Sequence, residues 1–423
     1  MTQRKQEAGV RSSRGAHAVV GTMLLLMPVI SVQGPANTTL MDVAGTVFLA
    51  IYWCHALARR LKVSFPLLLP FWLIAIGSIV GLFAAHDVHR ALLQMVKEVY
   101  LYVWFVSVTD FMTRYCRAKS VAAIWVAIAS VLGILMAIDY HTQAFGGFFS
   151  AEARAAGTFT NPNMGGNYLV MSFFLAWGLV QAGRRRFLLA MPACVAGVLA
   201  TASNGAALSL VAGSIVASAL YSSRRLAQFV GMGCVAAGLM VALLGGGKDW
   251  LQRSVLDQVS QGKRDAVGGT AMESASERFP LWLDAAVTFQ ETPMGVGVGN
   301  FNRLGGPVSG DFHGAHNTYI GMLVERGPIG LLGWLLILGA LVRWVLELRT
   351  RAAVATPLLG IEPLCGILAA MAMHSLTMEL FHFRHVWMFL ALIWAILAQS
   401  PVPLTARVAG STVRARGAVA EGA

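Results

Sequence analysis

The chain has 423 residues, of which 57% are hydrophobic and 12% charged, and its mean hydropathy is +0.65. A soluble globular chain carries roughly a quarter charged residues, so the composition excludes an ordinary soluble domain and indicates a bilayer protein. The net charge of +12 would suggest a nucleic-acid partner in a soluble protein. In a membrane protein the cytoplasmic loops collect lysine and arginine, so membrane lipid is the expected partner and nucleic acid is not.

The N-terminal segment carries basic residues from Arg4 to Arg14 ahead of an apolar run. No small-residue cleavage site follows, which favours an uncleaved signal anchor. The five cysteines are scattered and show no CxxC or CxxH spacing. The sequence therefore predicts neither a disulfide framework nor a zinc site, and no cofactor or metal is expected.

Apolar runs of membrane-crossing length, which is about 20 residues, fill most of the chain. Twelve are predicted, at residues 18–32, 40–58, 63–85, 92–111, 121–138, 164–181, 187–201, 206–221, 227–244, 329–346, 358–378 and 386–399. Within 187–221, Ser203-Asn204-Gly205 reads either as a turn between two short spans or as a break in one helix. The predicted fold class is an all-α polytopic membrane protein with about twelve transmembrane helices.

Basic residues set the orientation of these spans. With the N-terminus in the cytoplasm, most lysines and arginines fall in short cytoplasmic segments such as 59–62, 114–119 and 184–186. Both termini are then cytoplasmic, and two long loops lie outside, at 139–163 and 245–327. The predicted organisation is a nine-span bundle (1–244, with the outer loop 139–163), a large periplasmic loop with short helices and the catalytic elements (245–327), three C-terminal spans (328–400) and a disordered cytoplasmic tail (401–423).

The larger outer loop has its own internal pattern. Residues 258–270 are rich in glycine, glutamine and charge, which predicts a disordered tip. Pro280 at a first helical position, followed by apolar 281, 282, 285, 286 and 289, predicts a short amphipathic helix with Arg278 just before it. The glycines at 295, 297 and 299 predict a flexible turn and lack the strand context of a dinucleotide site.

His316 stands out as a candidate proton acceptor. Residues 317–326 can form one short helix that Gly327 ends, with Pro328 opening the next span. The helix dipole at His316 would disfavour the charged ring, and a neutral imidazole can accept a proton from a hydroxyl. The alternative is that His316 merely caps the helix.

Several arginines fall outside the cytoplasmic clusters, namely Arg154, Arg278, Arg303 and Arg384. Guanidinium groups form two-pronged pairs with phosphate oxygens, so several at one outer site would suit a diphosphate. The alternative for each arginine is a solvated charge or a structural pair with Asp284, Glu325 or Glu379. Lys97 and Glu98, within span 92–111, read as a neutralised pair or as the margin of a site.

The sequence from His316-Asn317 through Gly327 to Gly330 has the form H-N-x9-G-x2-G. It resembles the signature of the O-antigen ligase and O-antigen polymerase superfamily, which includes protein O-oligosaccharyltransferases. Arg154 through Asn161-Pro-Asn163, Arg278 with Trp282, the segment 293–301 and Arg384-His-Val-Trp are also similar to it. The resemblance covers roughly residues 150–400. One departure is Ser203-Asn204, where relatives often carry Ser-Arg.

The resemblance implies a GT-C-like glycosyltransferase that uses an undecaprenyl-diphosphate-linked glycan on the periplasmic face of the bacterial inner membrane, without metal. His316 and Arg278 would be catalytic, with Arg154, Arg278 and Arg384 binding diphosphate. Supporting residues would be His313, Asn317, Asn163 and Glu325. The acceptor would be lipid A–core or another glycan, and the reaction would invert the anomeric centre.

Within this class the motif does not separate a ligase from a polymerase or a protein glycosylator. Twelve spans and one dominant outer loop favour the ligase. A transporter of lipid-linked sugars is the alternative outside the enzyme class. Transporters commonly carry inverted repeats around a central site, whereas the polar residues here concentrate in one late loop.

Overall fold

A computed structural model describes residues 13–30, 38–150, 154–220, 271–307, 314–352 and 357–400. These ranges form α-helices joined by loops and short 3-10 turns, and they contain no β-strand element. In chain order the helices are α1 (Arg14–Leu26), α2 (Leu40–Ala58), α3 (Leu68–Gly81), α4 (Val88–Tyr115), α5 (Ala118–Thr142), α6 (Pro162–Gln181), α7 (Ala190–Ala200), α8 (Asn204–Ala219), α9 (Ala271–Glu291), α10 (Thr318–Ala352), α11 (Ile361–Ser375) and α12 (Arg384–Gln399).

Eleven of the twelve predicted spans overlap these helices, and the span at 227–244 lies outside the described residues. Four helices of the described part, α2, α4, α5 and α10, are long and apolar enough to cross a membrane. Five apolar helical segments are shorter, including α1, α8, α11 and α12. The all-helical class is therefore confirmed for the described ranges, while the number of crossings stays a prediction.

Helix α12 lies at the centre of the bundle. Most of its residues are buried, from His385 to Leu397, so neighbouring elements cover it on all sides. It packs against α4 and α5, while α10 packs on α3 and α11 packs on α8 and α6. This packing places the N-termini of α6, α8, α10 and α12 at the same end of the bundle as the C-termini of α3, α5, α7 and α11. We call this end the site end.

The break within 187–221 is a tight turn between two short helices. Ser203 caps α8, because its hydroxyl accepts a hydrogen bond from the Ala206 N–H. Both helices pack along α6 in opposite directions. Gly197 of α7 lies against Leu169, Gly213 of α8 lies against Phe174, and Gly166 lies against the turn between them.

Gly327 divides α10 into a short helix and a long one, as the sequence predicts. Its backbone angles, φ 64° and ψ −171°, are not helical, and Pro328 follows. The carbonyls of Val324 and Glu325, at the end of the short helix, accept hydrogen bonds from the N–H groups of Val296 and Gly297. The glycine-rich loop 293–299 therefore caps the short helix by supplying hydrogen-bond donors to the carbonyls of its last turn.

Replacing Gly327 with alanine should lower the stability of the protein, by about 1–3 kcal/mol for such a strained backbone. A side chain at this positive φ would also approach the carbonyl oxygen of Met294 to 2.9 Å. Thermal unfolding in detergent measures the effect. Gly339→Ala is the matched control, because Gly339 sits in the same helix with open space around it. Equal melting temperatures for the two variants would contradict the assigned strain.

The prediction for the helix around Pro280 is wrong about where the helix begins. Helix α9 runs from Ala271 to Glu291, so Pro280 lies inside it and Arg278 lies on it rather than just before it. The helix continues through Pro280 even though a proline in a helix interior gives up one backbone hydrogen bond. The predicted disordered tip at 258–270 lies outside the described residues.

Candidate functional site

Arg154 is held at the site end by the turn between α7 and α8. Its Nε donates a hydrogen bond to the Thr201 carbonyl at 3.0 Å, and a terminal nitrogen donates to Asn163 Oδ1 at 2.9 Å. The Ser203 hydroxyl donates to the same oxygen of Asn163 at 2.7 Å. Asn163 therefore fixes the direction of the guanidinium group, and these contacts involve no carboxylate.

Arg278 approaches this group from α9. Burial and then the charge of Arg278 lower the pKa of Arg154 below its usual value. The charge of Arg278 also acts on His374, in the last turn of α11. The charge of Arg278 is thus within electrostatic reach of Arg154. Guanidinium groups in such a position are suited to a phosphate, because they form two-pronged pairs with its oxygens.

His316 lies next to the same helix. The indole N–H of Trp282, one turn beyond Arg278, donates a hydrogen bond to the Ala315 carbonyl at 3.2 Å. His316 is half-buried, with a left-handed φ of 45°. A positive φ is uncommon for a residue other than glycine. It turns the backbone sharply just before α10 begins.

Asn317, rather than His316, caps the short helix. The side-chain oxygen of Asn317 accepts hydrogen bonds from the N–H groups of Tyr319 and Ile320, at 2.9 and 3.1 Å. This is the usual N-cap arrangement. The capping alternative for His316 is therefore not needed, because its neighbour fills that role.

The loop between α11 and α12 supports the first turn of α10. The Thr318 hydroxyl donates to the Met378 carbonyl at 2.7 Å and accepts from the Leu380 N–H at 3.0 Å. The Glu379 carboxylate lies against Gly314 and Gly321, on either side of His316 in the sequence. Burial raises the pKa of Glu379, and the charge of Arg326 opposes this shift. The segment that carries His316 is thus fixed to this loop by a clamp at Thr318.

Arg384 already has a carboxylate partner. Its Nε and a terminal nitrogen donate to the two oxygens of Asp42 at 2.8 and 2.5 Å. The structural-pair alternative thus holds for Arg384, with Asp42 as an unforeseen partner. Because this pair uses the planar fork that would bind a phosphate, the diphosphate role of Arg384 is not favoured by the structure.

A buried charge cluster lies beneath the short helix. Arg326 donates to Glu98 at 2.5 Å and to the Ser78 hydroxyl at 3.1 Å, and lies 3.4 Å from Glu325. Glu98 and Arg326 are 4% and 3% exposed. The neutralising partner of Glu98 is therefore Arg326, not its neighbour Lys97. Glu325, predicted as a supporting residue, belongs to this cluster.

Sequence reasoning did not single out His374, and it missed the partner of Glu98. The available signal was an ionisable residue inside an apolar run, which describes both His374 and Glu98. Predicted supporting residue His313 lies outside the described residues. Within the described residues no group of three or more His, Cys, Asp or Glu side chains could hold a metal ion.

The described helices and their polar end indicate a helical membrane protein with an arginine-bearing site at one end of its bundle. Residues 189–335 match the family model described as O-antigen ligase, a range that includes Arg278 and His316. This match confirms the resemblance to the O-antigen ligase and polymerase superfamily, whose members are glycosyltransferase-like enzymes. A comparison with curated proteins found no match.

Proposed function

We propose that this protein moves a glycan from undecaprenyl diphosphate to a hydroxyl acceptor on the periplasmic face of the bacterial inner membrane. The observation that carries the proposal is the Trp282–Ala315 hydrogen bond, which brings the helix of Arg278 against the segment of His316. Two nearby guanidinium groups match a diphosphate, with its closely spaced oxyanions. The family match and the apolar helices support a lipid-linked substrate.

The reaction requires one bond to form and one to break. The acceptor oxygen attacks the anomeric carbon from the side opposite the diphosphate, and the bond from that carbon to the diphosphate oxygen breaks. The hydroxyl proton passes to a ring nitrogen of His316, and the electron pair leaves with the diphosphate. Arg154 and Arg278 stabilise the developing negative charge, and the anomeric centre is inverted.

The hydrogen bond from Trp282 to Ala315 supports this division of labour. It joins the helix that carries Arg278 to the residue before His316. This one contact thereby helps to position both His316, the proposed proton acceptor, and Arg278, which would hold the leaving diphosphate. Such positioning of reacting groups lowers the entropic part of the barrier.

The acceptor we propose is lipid A–core, which would make the protein an O-antigen ligase. We also propose that both termini lie in the cytoplasm. A polymerase or a protein O-oligosaccharyltransferase would use the same donor.

The purified protein, given an undecaprenyl-diphosphate-linked glycan and a chelator, should be offered lipid A–core, a second lipid-linked glycan and a pilin-like peptide in parallel. Glycan on lipid A–core supports the ligase. Movement of the donor across liposomes with no new glycosidic bond would contradict an enzyme and favour a transporter.

Replacing Arg278 with lysine should lower kcat/KM by about tenfold or more, because lysine keeps the charge but loses the two-pronged geometry. Initial rates at varied donor concentration measure the change. Arg303→Lys is the matched control, because Arg303 is exposed in the loop after α9. An unchanged rate in Arg278→Lys would reduce this residue to a simple positive charge.

A further inference from the structure

Helix α4 carries two positively charged side chains that have no carboxylate partner. Arg90 and Lys97 are half-buried, and neither forms an ion pair within the described ranges. The neighbouring carboxylate, Glu98, is already paired with Arg326. Because α4 is long and apolar enough to cross a membrane, unpaired charges on it are costly. These two cations therefore need an anion that the described residues do not supply.

Arg90, Gln94 and Lys97 lie on one face of α4, and we call them the α4 stripe. Residues four and seven positions apart share a helix face, so the stripe extends about 10 Å along the helix axis. All three side chains are half-buried. Leu93 and Val96, beside the stripe, are 39% and 65% exposed. The α4 stripe thus follows the edge of an apolar surface and is open to a ligand.

The loop after α9 directs Arg90 without neutralising it. A terminal nitrogen of Arg90 donates to Asn302 Oδ1 at 3.4 Å, and its Nε lies against Gly299. The carboxylate of Asp87 caps α4 by accepting from the Arg90 backbone N–H at 2.9 Å. A guanidinium group has five N–H donors, and one neutral oxygen uses few of them. Arg90 can therefore still bind an anion.

The loop between α11 and α12 holds the other part of the α4 stripe. Gln94 Nε2 donates to His382 Nδ1 at 3.1 Å. Burial and nearby positive charges, Lys97 among them, lower the pKa of His382, so its ring adds no charge to the stripe. The same loop bonds to Thr318, just after His316. The α4 stripe is thus attached to the loop that supports the proposed proton acceptor.

The α4 stripe contacts other elements than the first arginine site does. Arg154 is fixed to the turn between α7 and α8, whereas the stripe contacts the loops after α9 and α11. Arginine and lysine bind phosphate, and basic groups beside an apolar helix surface suit a lipid head group. The start of α4 lies at the site end, because the Asp87 N–H donates to Asn300 Oδ1 in the loop after α9. A lipid whose phosphate lay on the stripe would extend its sugars outward, toward the site end.

We propose that the α4 stripe binds a phosphate group of the acceptor lipid, with Arg90 and Lys97 as its charged ligands and Gln94 between them. This inference rests on the proposed function, in which the acceptor is lipid A–core, a phosphorylated glycolipid. The donor diphosphate and the acceptor phosphate then occupy separate basic sites. The α4 stripe orients the acceptor, and no bond forms or breaks there.

The test measures the binding of lipid A to the full chain in nanodiscs of zwitterionic lipid, without donor. The wild type should bind lipid A about tenfold or more tightly than enzymatically dephosphorylated lipid A, as expected for hydrogen bonds to a charged group. Arg90→Met and Lys97→Met should each lose most of this preference, and Lys97→Arg should keep it. Affinity for undecaprenyl diphosphate should stay at the wild-type level in all three variants.

Two controls separate phosphate binding from general effects. Arg303→Met removes an exposed positive charge from the loop after α9 and should keep the preference for phosphorylated lipid A. Melting temperatures should be unchanged or raised in Arg90→Met and Lys97→Met, because each removes an unpaired charge from a membrane helix.

Three results would overturn the inference. The first is equal wild-type affinity for the two forms of lipid A, which decides the matter even if a variant does not fold. The second is equally tight binding of phosphatidylglycerol, which would make the α4 stripe a site for any anionic lipid. The third is loss of undecaprenyl diphosphate affinity in Arg90→Met and Lys97→Met, which would assign the stripe to the donor.

Failure of the proposed function is distinguishable from failure of this inference. The former would abolish glycan transfer to every acceptor offered. The latter would leave transfer intact and equally efficient with phosphorylated and dephosphorylated lipid A–core.

Discussion

Replacing His316 with alanine should slow glycan transfer by about two to four orders of magnitude, the usual contribution of a general base. In the proposed reaction the acceptor hydroxyl would then lose its proton acceptor while the arginine site stayed intact. Donor binding should therefore be nearly unchanged, and the loss should fall on kcat. Single-turnover rates with lipid-linked glycan, together with donor affinity, measure the two parts.

In cells, the same variant should accumulate unused lipid-linked glycan on the periplasmic face, whereas a blocked transporter would retain it on the cytoplasmic face. His141→Ala provides the control, because it removes an exposed histidine from the end of α5. Full transfer activity in His316→Ala would defeat the assignment of the proton acceptor. In that case the arginines could still bind the diphosphate, but a group other than His316 would accept the proton.

Replacing Arg326 with leucine should destabilise the protein by about 3–5 kcal/mol, the cost of removing one partner from a buried ion pair. Glu98 would remain buried without its guanidinium, and Glu325 would lose the same neighbour. Thermal unfolding of the purified protein in detergent measures the loss. Arg303→Leu, at an exposed position, should change stability by no more than about 0.5 kcal/mol.

The double variant Glu98→Gln with Arg326→Leu sharpens this test. It removes both charges of the pair, so the uncompensated Glu98 carboxylate disappears and stability should return in part. A double variant as unstable as Arg326→Leu alone would show that lost packing, for example against the Phe381 ring, dominates the effect.

Local patterns were enough to predict the apolar helices and the break at Gly327, because both depend on neighbouring residues. The arginines and His316 were predicted as a group from the outer loops and the superfamily motif, and their shared role stays a prediction. Partners distant in the sequence could not be predicted, since tertiary packing selects them. Arg384 meets Asp42 and Arg326 meets Glu98 only when the helices assemble. The start of α9 was predicted wrongly, because proline is usually tolerated only in the first turn of a helix, and nothing local indicates that this helix continues through Pro280.

The clamp at Thr318 has a consequence for how such a protein can change its acceptor. Thr318 joins the turn after His316 to the connection that follows His374. The proposed proton acceptor is consequently tied to the loop between α11 and α12 through the backbone groups of Met378 and Leu380. Because Thr318 bonds to backbone groups, the side chains of that loop can change during evolution toward a new acceptor while this attachment stays in place.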